Sequence, residues 1–166
     1  LLHLSGYDGE QRFRIPEGLD GLKCLFEISS NLKEQALFNP DSGIHYHVDC
    51  TDVYKYFTSE FVEKHEEWIL NELDSWDYQG EYNARAVKFN IGHNWVRFQP
   101  TFKTMEFRLG NMTFEYEMLF KRITHANAIV KRLKDELLET IEIEEDQFGD
   151  YDFNEKDVLN TRIIKI

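Results

Sequence analysis

Apolar and polar residues alternate in two short stretches of the chain and recur at helical spacing in three longer ones. Residues 44–49 and 104–109 alternate, which is typical of strands with one buried face. Helices are predicted from Asp20 to about Leu37, from Thr58 or Ser59 to about Leu73, and from Thr113 onward, since apolar residues there recur every three or four positions. Asp20 and Thr113 are expected to cap the first and the third of these helices. Further strands are predicted at 10–15, 85–91 and 94–99. This order predicts an α+β fold, with a mostly antiparallel sheet covered by two or three helices.

The pattern shows no internal repeat and no linker that would separate two folding units. We therefore predict a single domain over residues 1–140, which is long enough to bury a sizeable core. Residues 141–166 read as an acidic C-terminal tail, loose for most of its length, that closes with a short strand in TRIIKI.

Composition and charge exclude some classes of partner. The formal net charge is −12 and the sequence pI is about 4.9, whereas nucleic acids and anionic lipids are bound by basic surfaces. No apolar run approaches the roughly 20 residues that cross a bilayer. Cys24 and Cys50 lie among apolar residues and are expected to be buried, reduced thiols. We expect a cytoplasmic protein without a signal peptide, and no nucleic-acid or membrane partner.

The candidate chemistry lies on the polar faces of two predicted strands. His45, His47 and Asp49 share one face of the first strand, and Glu106 and Arg108 share one face of the second. Because burying unpaired charge costs several kcal/mol, these groups should either pair with one another or face a cleft. Imidazoles about 7 Å apart can lean toward one ion, and the arginine fork suits phosphate or carboxylate. The simpler alternative is a half-exposed strand face with a surface ion pair.

These strands resemble motifs of a known superfamily. SGIHYHVD is similar to the G-apolar-H-x-H strand of the glutamine synthetase-like carboxylate–amine ligases, and TMEFRLG is similar to their E-x-R strand. The likeness is greatest to the amidoligases of that superfamily, in which an arginine and an asparagine, here Arg85 and Asn90, precede the second strand and a long helix follows it. It covers residues 16–135.

The resemblance implies a glutamine synthetase-like core and an ATP- and magnesium-dependent ligase. Such an enzyme joins a small-molecule or peptide carboxylate to an amine through an acyl phosphate. It implies metal ligation by His45 and Glu106, nucleotide contacts by His47, Arg85 and Arg108, and catalytic roles for Glu106 and Arg108. It also makes a phage or bacterial source an expectation.

One departure from the ligase pattern bears on activity. These ligases open with an E-x-E strand that supplies metal carboxylates, whereas residues 1–14 offer only Asp8 and Glu10. We expect a missing N-terminal segment or a partner chain to complete the site, or else a catalytically inactive amidoligase-like module that serves binding or structure in a larger, viral assembly. A third alternative is a metal-dependent hydrolase, since two histidines and one glutamate match a common catalytic zinc set.

Overall fold

The computed structural model describes residues 3–4, 11–35, 43–76, 83–90, 92–148 and 164–165, with side chains for 13–34, 43–76, 83–90 and 92–140. The elements in chain order are β1 (His3–Leu4), β2 (Gln11–Arg12), β3 (Arg14–Ile15), α1 (Gly18–Gln35), β4 (Gly43–Asp49), α2 (Ser59–Lys64), α3 (Glu66–Leu73), β5 (Ala84–Phe89), β6 (Asn94–Gln99), β7 (Thr104–Asn111), α4 (Tyr116–Phe148) and β8 (Ile164–Lys165). A 3₁₀ turn, Tyr54–Tyr56, lies between β4 and α2.

The strands form one main sheet. Within the described residues its order is β3-β8-β4-β7-β6-β5, while β1 and β2 pair separately. The four longer strands, β4, β7, β6 and β5, form the continuous part, and the two-residue strands β3 and β8 extend one edge. All neighbours in the main sheet are antiparallel except β5 and β6. The predicted α+β class with a mostly antiparallel sheet is confirmed.

Strands β5 and β6 run parallel although only residues 90–93 connect them. Parallel neighbours ordinarily need a crossover of a dozen or more residues. Here Asn90 (φ 55°) and Gly92 (φ 71°) adopt left-handed backbone conformations, which permit sharp changes of direction. The Ala84 N–H donates to the His93 carbonyl at 2.8 Å and fixes the returning chain beside the start of β5. The short connection thereby brings residue 93 close to the polar face of the sheet.

The hydrophobic core lies between one face of the sheet and the helices. Tyr46 of β4 and Phe107 of β7 are fully buried, as are Val87 and Val96 of the neighbouring strands. Trp76, which follows α3, packs edge-to-face on Tyr46 with ring centroids 5.6 Å apart. The alternation of the sequence therefore divides the sheet as predicted, with its apolar face toward the helices and its polar face on the other side.

The second predicted helix is two helices in the structure. Helix α2 begins at Ser59, where a start was predicted, and Thr58 caps it, because its hydroxyl accepts the Phe61 N–H at 3.1 Å. The chain then departs from helical geometry at His65 (φ −100°, ψ 0°), and α3 follows. The His65 ring nitrogens lie 2.7 Å from the Phe61 carbonyl oxygen and 2.8 Å from Glu136 Oε2. These contacts hold the buried imidazole at the break and tie it to α4.

The other helix boundaries also differ from the prediction. Helix α1 begins at Gly18, so Asp20 lies within its first turn and is not its cap. Helix α4 begins at Tyr116, and the Thr113 hydroxyl instead accepts the Glu115 N–H at 3.1 Å in the turn before it.

The end of α4 lies beyond the predicted domain boundary. The helix continues to Phe148, so the boundary placed after residue 140 falls inside it, and the first residues of the acidic run are helical where a loose tail was predicted. Strand β8 lies within the segment TRIIKI, where a short strand was predicted. Residues 149–163 lie outside the described part. Among the described helices, none carries an apolar stretch that could span a bilayer.

Both cysteines are free thiols. Cys50 is buried as predicted, and its burial raises the pKa of the thiol to about 12. Cys24 is only half-buried, because it lies at the margin of the inner face of α1, beside buried Leu25, so the prediction was wrong for this residue.

Candidate functional site

Three neighbouring strands place their polar side chains on the same face of the sheet. His47 of β4 stands opposite Glu106 of β7, and Glu106 stands opposite Arg97 of β6. Residues directly opposite one another on adjacent strands project to the same side. A register irregularity between Ile44 and Tyr46 lies beside His45, whose imidazole also reaches Glu106. We call the side chains of His45, His47, Arg97, Glu106 and Arg108 the polar cluster.

The carboxylate of Glu106 is the centre of the polar cluster. Glu106 is only 2% exposed. Its Oε2 accepts hydrogen bonds from Arg97 Nε at 2.9 Å and Gln99 Nε2 at 2.8 Å, and it forms an ion pair with Arg97 Nη2 at 2.8 Å. Its Oε1 accepts one from Arg108 Nη1 at 2.8 Å. Two guanidinium groups and one amide therefore satisfy this buried carboxylate.

The two imidazoles lie beside the same carboxylate oxygen. His45 Nδ1 is 3.5 Å and His47 Nε2 is 3.6 Å from Glu106 Oε1. These distances are too long for strong hydrogen bonds but short enough for an electrostatic interaction between the rings and the carboxylate. The other ring nitrogen of His47, Nδ1, lies 3.0 Å from Thr104 Oγ1, which fixes the orientation of the ring.

The surroundings of Glu106 keep it ionised. Burial by itself would raise the pKa of the carboxyl group, but the hydrogen bond from Gln99 and the neighbouring charge of His47 act against it. The charge of Arg108 and the hydrogen bond from Arg97 act in the same direction. The pKa of Glu106 consequently falls from its ordinary value of 4.5 to about 2.

Arg108 also reaches the connection between β5 and β6. Its Nε lies 3.4 Å from Asn83 Oδ1, and its Nη2 lies 3.5 Å from His93 Nδ1. The Asn83 amide donates to the Arg108 carbonyl at 3.0 Å. Strand β7 positions residue 108, and Asn83 and His93, on either side of β5, lie beside its side chain.

Two residues that the sequence analysis associated with the site make other contacts. Arg85 binds Asp74 through two hydrogen bonds of 3.0 and 2.7 Å and lies over the Trp95 ring. This contact lowers the pKa of Asp74, chiefly through the hydrogen bond from Arg85. Asp49 accepts hydrogen bonds from the backbone and hydroxyl of Thr51, at 3.2 and 2.6 Å, and thereby stabilises the turn after β4. In the described structure, neither residue contributes a contact to the polar cluster.

No protein-family model, curated protein or solved structure matches the chain. The likeness to amidoligases therefore rests on the two strand motifs and their order.

The described side chains do not fit the magnesium site that this likeness implies. Magnesium prefers oxygen ligands in octahedral geometry, and Glu106 is the one carboxylate of the polar cluster. Both of its oxygens already accept hydrogen bonds from guanidinium groups, whose positive charge would repel a cation. Among the described residues, no three histidine, cysteine or carboxylate side chains form a group that could hold a metal ion. The same observation weighs against a zinc site built on the two histidines.

Arg97 and Gln99 are the members of the site that the sequence analysis missed. The stretch NWVRFQ alternates, with Val96 and Phe98 on the buried face, so Arg97 and Gln99 must project to the polar face. That signal was present in the sequence. The sequence did not show that β6 pairs with β7, and this pairing brings both side chains to Glu106.

Proposed function

We propose that the polar cluster binds the phosphate groups of ATP, and that the chain acts in carboxylate–amine ligation through an acyl phosphate. The observation that supports this most strongly is the pairing of two strands. The His-x-His strand and the Glu-x-Arg strand are antiparallel neighbours, and their four motif side chains meet on one face. This juxtaposition is what the resemblance to amidoligases requires.

The charge of the cluster also favours an anionic ligand. Arg97 and Arg108 bring two positive charges to the single negative charge of Glu106, on a chain whose net charge is −12. The Arg97 side chain is 22% exposed and the Arg108 side chain 10% exposed, so solvent reaches both. Guanidinium groups present parallel donors that match phosphate oxygens. A local surplus of positive charge on an acidic protein is suited to a phosphate group.

In the proposed reaction, a carboxylate oxygen of the first substrate attacks the γ-phosphorus of ATP, and ADP leaves. The amine of the second substrate then attacks the acyl carbon, and inorganic phosphate leaves as the amide forms. Arg108 is placed to offset negative charge on the transferred phosphoryl group, with the imidazoles of His45 and His47 beside it.

A second candidate is a ligase-like module that binds the anion without catalysis. The observation in its favour is that the carboxylates on this face are already engaged. Glu106 accepts three hydrogen bonds and a further ion-pair contact, and Asp49 is hydrogen-bonded to Thr51, so neither is placed to recruit a cation. On this alternative, the polar cluster binds a phosphate group and recognises its ligand without catalysing a reaction.

Calorimetric titration with ATP tests the shared part of both candidates. We expect wild-type protein to bind ATP and Arg108→Ala to lose most of that affinity. Arg132→Ala is the matched control, because Arg132 lies on α4 over the Trp68 ring, away from the polar cluster. Circular dichroism should show that each variant is folded. Absence of ATP binding to the folded wild-type protein at millimolar nucleotide would refute both candidates.

Turnover separates the two candidates. Hydroxylamine can replace the amine and traps an acyl phosphate as a hydroxamate, so ADP and hydroxamate should appear together for a ligase. The assay would use a panel of amino acids and acidic peptides, with and without magnesium. Bound ATP with no ADP formed from any member of the panel would favour the binding module.

A further inference from the structure

The two arginines of the polar cluster hold Glu106 in different ways. Arg97 places two nitrogens on Oε2, at 2.9 and 2.8 Å, and Gln99 adds a third donor to the same oxygen. Arg108 places one nitrogen on Oε1 at 2.8 Å. Its remaining contacts, 3.4 Å to Asn83 and 3.5 Å to His93, are longer than good hydrogen bonds. Arg97 is therefore held at Glu106 by two close contacts, whereas Arg108 makes one close contact there and its other contacts are long.

Because of this asymmetry, Arg108 can exchange partners while the Glu106 carboxylate keeps hydrogen bonds from other groups. If Arg108 turns toward a ligand, Glu106 keeps the hydrogen bonds from Arg97 Nε and Gln99 Nε2 and the ion pair with Arg97 Nη2, all on Oε2, so the buried anion stays paired. If Arg97 turned instead, Oε2 would retain only the Gln99 amide. A phosphate group that binds two nitrogens of Arg108 would replace one good hydrogen bond and two long ones with a charge-assisted pair.

We propose that Glu106 is a resident counter-anion, and that an incoming phosphate group displaces it from Arg108 while Arg97 and Gln99 hold it in place. This inference rests on the proposed function, since it concerns the same phosphate-binding face. It assigns Glu106 to the control of phosphate affinity, in contrast to the metal-binding role that the resemblance implies. Arg108 is the ligand-binding arginine, and Arg97 is a positioning residue.

The decisive variant is Glu106→Gln, titrated with ATP in the presence of EDTA. The glutamine oxygen can still accept from Arg97, while its amide nitrogen faces Arg108 and releases it. Removing a negative charge beside the ligand should tighten ATP binding by about tenfold or more. Asp135→Asn is the control, because it also converts an acid to its amide but lies in an exposed ion pair on α4. The affinity of Asp135→Asn for ATP should equal that of wild type.

The outcomes separate this inference from the proposed function. ATP binding by wild type with equal or weaker binding by folded Glu106→Gln would overturn the counter-anion role alone. In a repeat titration with magnesium, weaker binding by Glu106→Gln than by wild type, together with equal binding in EDTA, would show that Glu106 is a metal ligand and would overturn the counter-anion role. Absence of binding by wild type and by every variant would overturn the proposed function, and this inference with it. Tighter ATP binding by Glu106→Gln than by wild type would support the inference.

A measurement on wild-type protein does not depend on the folding of that variant. The arginine side-chain Nε–H groups can be followed by ¹⁵N magnetic resonance while inorganic pyrophosphate is added. We expect the Arg108 signal to shift and the Arg97 signal to remain, with assignments from Arg108→Lys and Arg97→Lys. A shift confined to Arg97, or no shift of either signal at saturating pyrophosphate, would contradict the inference.

Discussion

Replacing Glu106 with glutamine should lower the free energy of unfolding by about 3 kcal/mol near neutral pH. The pKa of this carboxyl group falls from 4.5 to about 2 in the folded protein. Each pH unit between the unfolded and folded values corresponds to about 1.4 kcal/mol, and the side chain is only 3% exposed, so solvent screens the interaction weakly. Removing one partner of a buried ion pair typically costs about 3–5 kcal/mol, which agrees with this magnitude.

The sign of the pKa shift fixes the pH dependence of this effect. A carboxyl group whose pKa is lowered by folding stabilises the protein fully above its unfolded value, here 4.5. That stabilisation is lost as the pH falls toward about 2, and about 2 kcal/mol of it should be gone by pH 3. The stability advantage of wild type over Glu106→Gln should therefore shrink as the solution is acidified.

Urea denaturation followed by tryptophan fluorescence, at several pH values between 7 and 3, measures this difference. Glu115→Gln is the matched control, since Glu115 pairs with Lys33 at the surface and its side chain is 65% exposed. That variant should lose less than about 1 kcal/mol. A loss below about 1 kcal/mol for Glu106→Gln, or a difference that does not change with pH, would refute the account of Glu106 as a buried, multiply bonded anion.

Three further outcomes follow from the structure. Asp52→Asn should lower the free energy of unfolding by about 3 kcal/mol, because it removes the charge partner of the buried Lys134, which donates to Asp52 at 2.7 and 3.0 Å. The control Asp135→Asn, in an exposed ion pair, should lower it by less than about 1 kcal/mol, and equal losses in urea denaturation would contradict this prediction. A thiol-specific disulfide reagent should modify Cys24 in the folded protein but Cys50 only after unfolding, because the Cys50 thiol is buried and its pKa is raised. Modification of both thiols in the folded protein would contradict this prediction. Thr58→Ala should cost about 1 kcal/mol by loss of the α2 cap, measured by the same denaturation, and an unchanged midpoint would show that the cap contributes nothing.

The faces of the strands could be predicted from the sequence alone. Side chains alternate along an extended chain, so the polar residues of GIHYHVD and TMEFRL had to share faces whatever the strands paired with. The α+β class followed from the same local periodicities, because amphipathic segments must bury their apolar sides together. Local pattern also located the start of α2 at Ser59.

The composition of the polar cluster depended on contacts between distant parts of the chain. Arg97 joined it because β6 pairs with β7 in a register that sets Arg97 opposite Glu106. Arg85 did not join it, because Asp74 at the end of α3 binds its guanidinium. Strand pairing is set by packing and hydrogen bonds between residues far apart in sequence, which local periodicity does not encode. The sequence therefore determined which groups could share a face, and only the tertiary structure decided that Glu106 is bonded to arginines.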